Sequence, residues 1–143
     1  MSKESIMFDI NDVNINFLKV IANRYRTKLH DITPVHGRII MSIYDSKNDI
    51  CQKDIEEFVP CNKSTLSAIL STMEKNNLIV RLENEKDFRR KIIKLTDKAL
   101  EVVDILKKDK QELDELIGQN ITEEEYIIFN GILKKINENL ERI

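Results

Sequence analysis

The chain has 143 residues with only three Gly and two Pro, and 34% of them are charged, which describes one ordered, helix-rich domain too small for two enzyme-sized units. Its net charge of -2 argues against a uniformly basic binder, and no apolar run approaches the ~20 residues of a membrane span. The start MSKESIMFDI lacks the apolar core and cleavage site of a signal peptide, so a cytoplasmic location without membrane contact is expected.

In chain order, residues 10–29 space Phe17, Leu18, Ile21, Ala22, Tyr25 and Leu29 by three and four, the pattern of an amphipathic helix. Asp31-Ile32-Thr33-Pro34 stops it and starts a second helix over about 34–44, with Thr33 as cap and Pro34 at the first helical position. After the loop Asp45–Asn48, residues Gln52–Phe58 predict a short third helix with Ile55 and Phe58 inward. Val59-Pro60-Cys61 turns the chain. Asn62 then caps a fourth helix to about Asn76, whose stripe is Leu66, Ile69, Leu70 and Met73, and Asn77 closes it in the left-handed conformation. Two short helices joined so tightly form a helix-turn-helix candidate.

Leu78–Leu82 and Lys91–Leu95 flank a polar loop and read as a hairpin, which makes the unit a winged helix. Thr96 caps a long helix with Ala99, Val102, Val103, Leu106, Leu113, Leu116 and Ile117 as its seam. Gly118-Gln119-Asn120 breaks it, and Thr122 with Glu125 forms a capping box for a last helix carrying Phe129, Ile132, Leu133, Ile136 and Leu140. The expected fold is mainly α with a small β-hairpin wing, an α+β arrangement. The first and last two helices have more apolar face than a winged-helix core of ~70 residues covers, so a partner surface is expected, most simply a second copy.

Charge is unevenly placed. Residues 1–46 hold six cations and five anions, 47–95 ten and eight, and 96–143 seven and twelve; Lys86–Lys94 alone holds five cations against Asp87. The positive field is local to the wing, so nucleic acid is not excluded by the total. On the fourth helix, with the apolar stripe inward, a 100° step places Ser64, Ala68, Ser71 and Lys75 on the opposite side, flanked by Thr65 and Ser67. That face suits close approach to a major groove but lacks the Arg, Asn or Gln that read bases bidentately. On this stretch alone, a simply solvated helix is an equal reading.

The motifs Ser64-Thr65-Leu66-Ser67, Met73-Glu74-Lys75-Asn76-Asn77-Leu78-Ile79, Asp87-Phe88-Arg89 and Leu95-Thr96 occur in the order found in the MarR (multiple antibiotic resistance regulator) family of winged helix-turn-helix transcription factors. Ile32-Thr33-Pro34 and Gln52-Lys53-Asp54-Ile55 also fit, so the chain resembles that family along essentially its whole length. It departs at Asn77, where Gly is usual, at Cys51, where Ser or Thr caps the helix, and at the acidic Glu83–Glu85.

The resemblance implies a single domain over 1–143, with a winged helix-turn-helix over 33–95 and dimerisation helices over 10–30 and 96–143. It implies double-stranded DNA, a homodimer partner and a small-molecule effector, acting on a repressor at a pseudo-palindromic operator. Gln52 and Lys63 become phosphate-contact candidates, and Ser64, Thr65, Ser67 and Ser71 candidates on the recognition helix. In the wing, Arg89 is the minor-groove candidate, Arg90 and Lys91 are phosphate candidates, and Asp87 orders the loop through an ion pair with Arg89 or Arg81.

Cys51 at a helix start is the candidate redox-sensitive thiol, because free amides and the dipole favour thiolate there. Members of the family that sense oxidants usually carry their Cys in the first helix, where this chain has none. Cys51 and Cys61 with His30 and His36 form neither a disulfide framework nor a zinc set, so no metal or cofactor is expected. A winged helix that binds protein rather than DNA is the alternative of a different class. An enzyme is disfavoured, since no Ser/His/Asp order, phosphate loop or metal-spaced cluster is visible.

Overall fold

A computed structural model describes residues 5–143. The elements are α1 (Ile6–Lys28), α2 (Pro34–Asp45), β1 (Ile50–Cys51), α3 (Gln52–Glu56), α4 (Lys63–Lys75), β2 (Ile79–Leu82), β3 (Ile92–Leu95), α5 (Asp97–Ile117) and α6 (Glu123–Glu141). The chain divides into two compact units, Met1–Lys107 and Lys108–Ile143.

In the first unit the core is built from Ile39 and Ile40 of α2, Ile55 of α3, Leu66, Leu70 and Met73 of α4, Leu78 and Ile79, Ile93 of β3, and Ala99 and Val103 of α5. The spacings of three and four on α4 and α5 turn one stripe of each helix into this core. The strands form an antiparallel sheet in the order β1-β3-β2, with Ile79 opposite Leu95, Leu82 opposite Ile92, and Ile50 opposite Ile93. The hairpin of β2 and β3 is the wing. β1 is an element that the sequence reading lacks: two residues carry no period, and only pairing with β3 defines it.

Local chemistry sets the boundaries. Thr33 Oγ1 accepts from the His36 N–H while His36 Nδ1 accepts from the Thr33 N–H, both at 3.3 Å, so α2 opens on a reciprocal cap with Pro34 at its first position. Asn62 Oδ1 accepts from the Thr65 N–H at 2.8 Å and starts α4. At the other end Asn77 has φ 57, the Leu78 N–H bonds the Met73 carbonyl at 2.9 Å, and the Asn77 N–H bonds the Glu74 carbonyl at 3.1 Å. This is a Schellman closure with Asn in the place usually given to Gly. Thr96 accepts from the Ala99 N–H at 3.2 Å and donates to the Asn77 carbonyl, so the cap of α5 also fastens the exit of α4.

One inward assignment needs correction. Phe58 is 48% exposed and Val59 takes its core place. The α3 helix ends at Glu56, and the Phe58 N–H reaches back three residues to the Ile55 carbonyl at 2.9 Å; this tighter turn swings the ring outward. On α1, Phe17 and Leu18 are exposed, as expected of a helix with more apolar face than the core covers, and the contact with the core comes from Tyr25 and, just past the helix, Leu29. Tyr25 lies directly over Gly37 of α2: a Cβ added there would collide with the phenolic oxygen.

In the second unit α5 runs out through Leu116 and Ile117, both exposed, and the chain turns at Asn120 with φ 63. Thr122 and Glu125 then cap α6 reciprocally, at 2.9 and 3.2 Å. No residue of α6 is buried, and Tyr126, Ile127, Ile128 and Phe129 are all more than half exposed.

Candidate nucleic-acid interface

The α3 helix starts directly after β1, and β1 pairs with β3 of the wing, so the sheet register brings the helix-turn-helix and the base of the wing together. Between them lies a concave space of about 630 Å³, lined by Cys51, Gln52, Lys53, Glu56, Lys63, Ser67, Arg81, Arg89, Arg90, Lys91 and Ile93. Six of these residues are cations and one is an anion, on a chain whose total is -2. Such a groove concentrates positive potential where the whole-chain charge would hide it.

The groove gathers Cys51, Gln52, Lys63, Ser67, Arg81, Arg89, Arg90 and Lys91 from among the residues singled out in the sequence. Ser64, Thr65 and Ser71 do not line it; they lie exposed on the outer face of α4. Two hydroxyls are already engaged. Ser67 Oγ accepts from Gln52 Nε2 at 2.7 Å, which ties α3 to α4 and leaves the Ser67 hydroxyl proton available. Ser64 Oγ donates to the capping Asn62 Oδ1 at 2.9 Å. Thr65 and Ser71 remain exposed hydroxyls on that face.

Lys53 is a groove cation that the sequence reading did not single out. It follows from the helix wheel: with Ile55 wholly buried, a residue two positions earlier on a short helix faces away from the core.

The wing loop corrects the expected brace. Asp87 Oδ1 accepts from the Arg89 backbone N–H at 3.0 Å, and Asp87 Oδ2 lies 3.7 Å from Arg90 Nε. The partner is therefore Arg90, and Arg89 contributes only its backbone. A carboxylate two residues before an N–H closes a local turn, which leaves the following side chain free to point elsewhere. Among the described residues no carboxylate pairs with the Arg89 guanidinium.

Arg81 does not reach Asp87 either. It stands on β2, and its Nε lies 3.5 Å from Glu74 Oε2 on α4. It thus braces the exit of the recognition helix while lining the groove. Lys94, also on the hairpin, is engaged away from the groove by Asp49 at 2.7 Å.

Cys51 is a free thiol, half-buried, and donates to Asp54 Oδ2 at 3.2 Å; its backbone N–H donates to the same oxygen at 2.9 Å. The Cys51 backbone N–H chiefly, then its thiol, hold the Asp54 carboxyl below the usual carboxylate range, with Arg90 and Lys53 adding positive field. The Asp54 carboxylate is thus an anion held at this helix start by the Cys51 backbone N–H. Cys61, the other free thiol, packs against the core.

Comparison with known proteins agrees with this geometry. The MarR family profile matches residues 32–91, from the start of α2 through the wing cations. The HTH-type transcriptional regulator YdgJ of Bacillus subtilis is 22% identical over 138 residues, covering 96% of this chain and 80% of the relative. Staphylococcus aureus MepR in complex with DNA superposes with a TM-score of 0.83 at 22% identity, covering 96% of this chain and 99% of that one. The crystal structure of MarR superposes with a TM-score of 0.73 at 18% identity over 98% of this chain and 100% of its own. The MarR family profile thus lies over the helix-turn-helix and wing, and the fold is shared from end to end with solved winged-helix regulators, so the chain is similar to the MarR family across that part and in its overall fold.

Proposed function

We propose that the chain is a sequence-specific DNA-binding transcriptional regulator that works as a homodimeric repressor in the cytoplasm. The observation that carries this reading is the groove of six cations and one anion between α3, α4 and the wing, beside a recognition helix whose outer face is small and hydroxylated. Phosphates supply most of the affinity in such an interface, and Lys53, Lys63, Arg90 and Lys91 suit them. Arg89, whose guanidinium pairs with no carboxylate among the described residues, is the candidate for the minor groove. With no bidentate base reader at the centre of α4, shape readout of an A·T-rich operator fits better than a dense set of base contacts.

Homodimerisation is supported by apolar faces left open within each unit. Met7, Phe8 and Val13 of α1 and Ile127, Ile128 and Phe129 of α6 are all more than half exposed, well beyond the scattered apolar residues of an ordinary surface. A two-fold dimer with one reading head per protomer calls for half-sites about one helical turn apart, ~10 bp. Similarity to the MarR family supports release by a small-molecule effector, and relatives named as transcriptional regulators support a regulator rather than a catalyst. MepR is named as a regulator of a multidrug efflux pump; the genes this chain controls are a separate matter, reached by selecting bound duplexes.

The test is selection of duplexes from a random pool followed by anisotropy on the enriched sequence. Enrichment of a pseudo-palindrome is expected. Failure to retain any duplex at low salt would favour a protein-binding winged helix instead.

A further inference from the structure

The tip of the wing carries an apolar ring that the fold does not use. Phe88 is 77% exposed, more than any other large apolar side chain among the described residues before the terminal Ile143. Its backbone is nonetheless held. The Arg90 N–H bonds the Asp87 carbonyl at 3.1 Å, making Phe88 and Arg89 the two central residues of a turn, and Asp87 Oδ1 fixes the Arg89 N–H at 3.0 Å. Before it, Asn84 receives the Asp87 N–H on its carbonyl at 3.2 Å and the Lys86 N–H on Oδ1 at 3.0 Å. A braced turn therefore presents the ring beside Arg89, with Lys86, Arg90 and Lys91 close in sequence.

Water is a poor environment for a benzyl group, and the neighbouring Lys86, Arg89, Arg90 and Lys91 make a poor docking site for another basic or apolar surface. A polyanion whose grooves have apolar walls answers both features. We propose that Phe88 is a non-electrostatic DNA contact of the wing, its ring packing on the deoxyribose walls of the groove that Arg89 enters. This rests on the DNA-binding reading above. Apolar side chains of this kind are used by minor-groove binders beside arginine, and a contact of this type adds affinity without releasing counterions.

The experiment compares the full-length wild type with Phe88→Ala, Phe88→Leu and Arg89→Ala on the enriched duplex, by anisotropy across a series of salt concentrations. Phe88→Ala is expected to weaken binding roughly tenfold at every salt concentration, with the slope of log K against log salt unchanged. Phe88→Leu should recover most of the loss, Arg89→Ala should lower the slope, and thermal unfolding of the Phe88 variants should match wild type. Equal affinity of Phe88→Ala and wild type, or a loss that grows as salt falls, would overturn the assignment. A wild type that binds no duplex would instead overturn the DNA-binding reading, and the role of Phe88 with it.

Discussion

Replacing Lys53 by Ala removes a groove cation that makes no ion pair among the described residues, so its effect is calculable from the electrostatics of counterion release. Each phosphate neutralised adds about 0.9 to the slope of log K against log salt. In a dimer the substitution is made twice, so the slope should fall by about 1.8, and at 0.1 M salt this is a loss of roughly 60-fold, ~2.5 kcal/mol, relative to 1 M. The matched control is Lys94→Ala. Its ammonium is already held by Asp49 at 2.7 Å and lies outside the groove lining, so the slope should stay unchanged although the same charge is lost. Anisotropy of a labelled operator between about 50 and 300 mM salt, over which the Debye length falls roughly 2.4-fold, would read both. Equal slopes for Lys53→Ala and wild type, or equal reductions for Lys53→Ala and Lys94→Ala, would refute the assignment of the groove as the phosphate track.

Other consequences concern the brace, the packing and the pH response. Asp87→Asn keeps an acceptor for the Arg89 N–H and gives up only an exposed ion pair, so DNA affinity should stay within about fivefold of wild type, whereas Asp87→Ala, which frees the turn, should lose more; the reverse order would discredit the brace. Gly37→Ala places a methyl group against Tyr25 and should cost ~1 to 3 kcal/mol in urea unfolding, less in a Tyr25→Ala background, and a cost independent of Tyr25 would show that the contact is not the cause. Burial lowers the affinity of His36 for protons below its ordinary value of 6.5, outweighing its backbone hydrogen bond with Asp31. Between the folded and unfolded values the unfolded chain binds more protons, so the His36 contribution is fully present above pH 6.5 and declines as pH falls towards the folded value. His36→Gln should flatten that part of the stability profile, and an unaltered slope would count against it.

Legibility from sequence followed the range of the interaction involved. The closures at Asn77, Thr33 and Thr122 were readable because each is local chemistry within five residues, and the structure makes those hydrogen bonds. The stripe Leu66, Leu70, Met73 was readable because one helical period decides which side is buried. Phe58 was misplaced because the period assumed a helix that in fact ends at Glu56. β1 was invisible because a two-residue strand exists only through its partner β3. The same limit applies at the site. The charge run Lys86–Lys94 could be seen, but not which of its members would be spent internally: Lys94 on Asp49 and Arg90 on Asp87, while Arg81 turned to Glu74. The Lys94 and Arg81 pairings depend on sheet register and on the position of α4, and together with the local Arg90–Asp87 pair they distinguish the cations already partnered, among them Arg81 and Arg90 of the groove, from Lys53, Lys63, Arg89 and Lys91, which make no ion pair among the described residues.

The most direct measurement is hydroxyl-radical footprinting of the wild-type protein on the enriched duplex, alongside sedimentation of the same complex. Two chains per duplex are predicted, with protection in two patches about 10 bp apart and additional minor-groove protection flanking them that disappears in Arg89→Ala. A single patch from one chain, or protection identical in wild type and Arg89→Ala, would contradict a dimer that grips DNA with its grooves and wings.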